Sequence, residues 1–169
     1  MTAVGQVKRA VAAAIKAAGC AAIESYSEEQ LKRYATAVAA VGTKETVIEE
    51  SGAAQYLGEK VDEATQETVS VYGRKLLLTL LIEVYAPRTL GAAGCEKAAE
   101  VVTQALMTAL PEGLKLGSLQ WGKTGWDKTT GMFRLDASAK YAAYFVAEAA
   151  EDETVFTDFI LKGTVKERE

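Results

Sequence analysis

Residues 75–86, KLLLTLLIEVYA, constrain the fold more than any other stretch of the chain. Leu76, Leu78, Leu80, Ile82, Val84 and Ala86 fall on one side of an extended backbone, and that side is wholly apolar. Lys75, Leu77, Thr79, Leu81, Glu83 and Tyr85 fall on the other, which mixes apolar and polar groups. A period of two means a strand with one face in a core and the second partly covered. Pro87 cannot continue a ladder and ends it. A sheet must form around this strand, and its half-apolar second face calls for something to pack there.

The flanking segments supply the rest of an α+β domain. Residues 3–18 place Val4, Val7, Val11, Ala14, Ile15 and Ala18 at helical spacing before Gly19, which predicts an amphipathic helix lying on the sheet. Ser27 can cap a short helical turn. Residues 34–49 read as a strand, and 52–72 as a projecting hairpin turning at Asp62-Glu63-Ala64-Thr65. In GAAGCEKAAEVVTQALMTALPEG, a stripe of Ala98, Val101, Val102, Ala105, Leu106, Ala109 and Leu110 predicts a second helix, stopped by Pro111 and Gly113.

The last third reads as strands. LKLGSLQW is one. A long one follows, in which Phe133, Leu135, Ala137, Ala139, Tyr141, Ala143 and Phe145 alternate with polar residues. After a turn at Glu151-Asp152-Glu153, TVFTDFILKGTV is the third. The order α-β-hairpin-β-α-β-β-β predicts a single domain over 1–169: a mostly antiparallel sheet with two helices packed on one face.

Bulk properties narrow the function. The chain has 169 residues, 49% hydrophobic and 25% charged, a composition that suits one globular core. It has no run of about 18 apolar residues to span a bilayer. The first helix lacks the apolar block of a signal peptide, so a cytoplasmic protein is expected. A net charge of -4 argues against a surface built to grip nucleic acid. There is no histidine, which removes the commonest general base and metal ligand. Cys20 and Cys95 stand in no ligand pattern and read as small buried hydrophobes. No catalytic, cofactor or metal site is expected.

One motif points the other way. Gly117–Thr124, GSLQWGKT, matches the phosphate-loop pattern G-x-x-x-x-G-K-[ST], a chance event of roughly one in a hundred or rarer at average composition. That chemistry needs amides converging at the N-terminus of a helix. Here Leu119 and Trp121 alternate with Ser118 and Gln120 as in a strand, and GWDKTTGMFRL follows with no helical period. A hairpin is expected, not a nucleotide site.

The acids Glu45, Glu49 and Glu50, and Glu148, Glu151, Asp152 and Glu153, could do acid-base work or hold a cation, but read as solvated strand ends and turns. Trp121 and Trp126 bracket a Gly-rich turn and suit either a contact hot spot or packing over a sheet edge. The hairpin is too polar for a core and reads as an arm reaching a neighbour. Tyr56, Leu57, Tyr72, Leu77, Leu81, Tyr85 and Trp126 are therefore the candidate subunit-interface residues.

Taken together, KRYATAVAAVGTK, QYLGEKVDEATQETVSVYGRKLLLTLLIEVYAP, GAAGCEKAAEVVTQAL and FTDFILKG resemble small prophage-encoded tail proteins of Gram-positive bacteria. The order of elements is similar to that of the phage tail terminator family and related tail-completion proteins. The resemblance implies a structural virion protein, assembled in the bacterial cytoplasm, that forms a homo-hexameric ring at the head-proximal end of the tail. Such a ring stops the tail-tube protein from polymerising, meets the head connector, and lets DNA pass through its lumen. It implies no catalytic residues. By this analogy the 52–72 hairpin touches the next subunit or faces the lumen. Two alternatives stand beside it: a small-molecule-binding or enzymatic α+β domain, and another tail-completion or baseplate component.

Overall fold

The structure, a computed structural model, describes residues 3–51 and 56–148. In chain order it contains α1 (Ala3–Ala17), β1 (Ala21–Ile23), α2 (Glu28–Leu31), β2 (Val38–Glu50), β3 (Tyr56–Val61), β4 (Thr68–Ala86), α3 (Gly91–Thr108), β5 (Lys115–Trp121), β6 (Gly125–Asp127) and β7 (Met132–Glu148). The fold is α+β, as the periodicities predict. The turn at Glu151-Asp152-Glu153 and the strand TVFTDFILKGTV lie outside the described residues, as do residues 52–55 of the hairpin.

The sheet runs β1-β2-β4-β7-β5, with β3 also on β4 and β6 also on β7. Every pairing is antiparallel except β1 with β2. Strand β4 sits at the centre because its even-numbered side is so apolar: Leu76, Leu78, Leu80, Ile82, Val84 and Ala86 are all buried. Helices α1 and α3 cover that side. Val7, Val11 and Ile15 of α1 and Cys95, Val102 and Leu106 of α3 share one cluster with it and with Leu135, Ala137, Ala139 and Tyr141 of β7.

Helix α1 stops where the sequence predicts. Gly19 adopts φ +96, its amide donates to the Lys16 carbonyl and that of Cys20 to Ile15, the bonding pattern of a glycine-terminated helix. Ser27 caps α2 by accepting from the Gln30 amide at 3.4 Å. Among the described residues no helix is long and apolar enough to cross a membrane.

Four details depart from expectation. The hairpin's second strand and the 75–86 strand are one continuous β4, since Tyr72, Gly73 and Arg74 interrupt the hydrophobic alternation without breaking the ladder. Strand β2 begins at Val38, four residues later than predicted, because residues 32–37 form the turn leaving α2. The short strands β1 and β6 carry too few residues for a period to show. Finally, the face opposite the two long helices is covered at one end. Leu31 of α2 packs there with Ile23, Val38, Ala40, Tyr85 and Met132.

Tyr141 lies in the main core, and its hydroxyl has no hydrogen-bond partner among the described residues. A buried, unsatisfied hydroxyl is a net cost, so Tyr141→Phe is expected to raise unfolding stability by about 1 kcal/mol. Urea denaturation measures this directly.

Candidate assembly surface

Strand β4 is longer than the helical layer that covers it, and its first residues carry the sheet beyond that layer. Strand β2 pairs with β4 from Tyr85 to Arg74, and β3 then takes over the same side from Tyr72 to Thr68. Just past β2 the Ser51 hydroxyl donates to the Gly73 carbonyl. The β3–β4 turn is fixed by Asp62, whose carboxylate accepts from the amides of Ala64 and Thr65 at 2.8 and 3.2 Å. Those two bonds hold its carboxyl below the usual range.

Toward this distal end the sheet exposes apolar side chains on both faces. Ile48 is 51% exposed, Val61 56%, Tyr56 44%, Tyr144 38% and Val47 37%. Val47, Ile48 and Tyr144 stand on three successive rungs, opposite Leu77, Leu76 and Lys75 of β4, whereas Tyr56 is opposite Tyr72 and Val61 opposite Thr68, farther toward the start of β4. The rings of Tyr56 and Tyr72 meet edge to face at 5.7 Å. A large apolar patch gathered on one part of a surface marks a contact site, whereas scattered exposed residues do not.

Of the residues singled out from the sequence, Tyr56, Leu57 and Tyr72 lie in this distal region, Leu77 borders it, and Leu81 lies farther along the same outer face, half-buried. Tyr85 corrects the expectation of an open face. It is 1% exposed, sealed under α2 inside its own chain, with its ring 6.1 Å from that of Tyr26. Trp126 is half exposed and stacks edge-on against Phe133 at 5.0 Å. Phe133 is opposite Ala86, so Trp126 sits at the other end of β4 from Tyr72, roughly 45 Å away at strand rise. It cannot belong to the same patch.

Val47, Ile48, Val61 and Tyr144 were not singled out from the sequence. A signal exists for the first two: adjacent apolar residues between Glu45 and Glu49 put one on each face of a strand, which one-sided burial does not explain.

Next to the α2-covered end lies a charged cluster. Arg134 bonds Glu83 at 2.8 Å and chelates Asp136 through Nε at 2.7 Å and Nη2 at 2.8 Å. The Tyr85 hydroxyl donates to Glu83 at 3.2 Å. Burial raises the Glu83 carboxyl above its ordinary range, and Arg134 and Tyr85 offset part of that rise. These groups bond one another, and the cluster ties β4 to β7.

The phosphate-loop letters resolve as the alternation predicts. Gly117–Trp121 belongs to β5, and the Gly122 amide donates to the Asp136 carbonyl at 2.7 Å. The short strand β6 follows, not a helix. Trp121 donates to Thr103 of α3 at 2.9 Å and packs against the core. Both cysteines are buried, and burial raises the Cys95 thiol to about 11. Among the described residues no group of three or more Cys, Asp or Glu is placed to hold a metal ion. No protein-family model matches the chain, and no curated protein matches it.

Proposed function

We propose that the chain is a structural subunit of a phage or prophage tail, of the tail-terminator type, working as a ring of identical copies at the head-proximal end. The observation that carries this reading is the distal part of the sheet, where Val47, Ile48 and Tyr144 are exposed on successive rungs and Tyr56 and Val61 are exposed farther along β3. Such a surface is costly in a lone subunit and is used up in an assembly. A ring needs two different complementary patches on each copy, and a sheet whose two edges are open among the described residues offers them. The partners in this reading are further copies, the tail-tube protein and the head connector. DNA passes through the lumen.

Electron microscopy of particles assembled without the protein tests the proposal. Overlong tubes are the expected result, and filled heads lacking tails would assign the subunit to joining. Normal particles would rule out both.

A further inference from the structure

Within that ring, and resting on the ring reading, we infer that neighbouring copies join edge to edge. The outer edge of β2 in one copy accepts β5 of the next, so that the sheet runs on from subunit to subunit. Both edges are open among the described residues: β1 covers only Val38–Ala40 of β2, and β5 pairs with β7 alone. Open edges are templates for further strands.

Direction comes first. Each step from β2 to β4 to β7 to β5 is antiparallel, so β5 runs opposite to β2. A second copy brought alongside by rotation, without inversion, therefore presents β5 antiparallel to β2. The two edges are also level. One rung runs Val47–Leu77–Ala142–Lys115 and another Val41–Ile82–Ala137–Trp121.

The bulges agree as well. Val47 to Val41 is six steps (47 − 41), and so is Lys115 to Trp121 (121 − 115), while β4 and β7 take five between the same rungs (82 − 77 and 142 − 137). Each edge strand carries one extra residue, so β2 and β5 stay in step with each other at both ends.

The side chains then complement. Lys115 comes level with Val47, on the face that carries Glu45 and Glu49, and so meets opposite charges diagonally across the junction. On the other face Leu116 comes level with Thr46 and next to exposed Ile48, which the junction covers. A second copy fits better than an unrelated strand, because one repeated contact uses the β2 and β5 edges of every copy once the ring closes.

The test is the double variant Glu45→Cys with Ser118→Cys, positions on one rung through Thr79 and Lys140 and within disulfide reach across an antiparallel junction. Both native cysteines are buried, so an oxidised ladder reports the new pair. The expected result is a series of covalent oligomers on non-reducing gels, with neither single variant giving more than a background dimer. Lys115→Glu is expected to weaken association at least tenfold, and Glu45→Lys with Glu49→Lys added to it to restore most of the loss. Oligomers that form as well in Lys115→Glu as in the unmodified protein, without a ladder, would overturn the edge pairing and leave the ring reading intact. A protein that stays monomeric even with tail-tube protein present would overturn both.

Discussion

Replacing Leu31 by alanine is expected to lower unfolding stability by about 3 kcal/mol, within the usual range for a fully buried leucine. Leu31 is 0% exposed and is the one buried residue of α2, a helix of a single turn. It shares one buried cluster with Ile23 of β1, Val38 and Ala40 of β2, Tyr85 of β4 and Met132 of β7. So short a helix has almost no stability of its own. Removing its anchor therefore does more than open a cavity: it frees α2 from the sheet and uncovers Tyr85. Chemical denaturation gives the energy, and tyrosine-selective iodination of Tyr85 gives the local opening. A loss under 1 kcal/mol with Tyr85 still protected would mean that α2 does not seal this end.

Arg134→Met is expected to cost about 2 kcal/mol at neutral pH, less than the ~3–5 typical of a fully buried pair because the guanidinium is partly in water. The variant leaves Glu83, whose side chain is only 11% exposed, without its cation. Asp136 loses its chelating partner as well. The sign of the pH dependence follows from Glu83. Its folded-state carboxyl already lies above the ordinary value of 4.5, chiefly through burial, and losing Arg134 moves it higher. Between the unfolded and folded values the folded state binds more protons, so stability is lost as pH rises through that window. The deficit of the variant should therefore shrink on acidification from pH 7 toward about 4.5. Denaturation midpoints at several pH values measure it. A deficit that stays constant or grows on acidification would show that Glu83 is not the strained group.

The fold was legible in the sequence where one period dominated. The Leu76–Ala86 alternation is buried throughout. The α1 stripe buries Val7, Val11, Ala14 and Ile15 but leaves Ala18 exposed, and the α3 stripe buries Ala98, Val102, Ala105 and Leu106 but leaves Ala109, past the helix end, exposed. The GSLQWGKT letters were read as strand and turn from their neighbours, and Trp121 now packs on α3. What stayed hidden depends on pairing across the sheet. Leu31 and Tyr85 are far apart in sequence, and no local pattern announces that one covers the other. Hence the second face of β4 read as more open than it is. The distal patch was half visible: Tyr56, Leu57 and Tyr72 stood out as β-like residues in a polar hairpin. Val47, Ile48 and Tyr144 join them only through register with Lys75, Leu76 and Leu77. The Glu83–Arg134–Asp136 cluster is likewise a product of register.

Self-association through the distal end and edges of the sheet is best tested by sedimentation-velocity ultracentrifugation of the purified protein over a range of concentrations, beside an Ile48→Lys variant. At 18.0 kDa per chain, six copies give about 108 kDa (6 × 18.0). The predicted result is a discrete assembly near that mass, growing at the expense of monomer as concentration rises, and shifted toward monomer in the variant with its melting temperature unchanged. A single monomer peak at every concentration, or assemblies that Ile48→Lys leaves untouched, would contradict it.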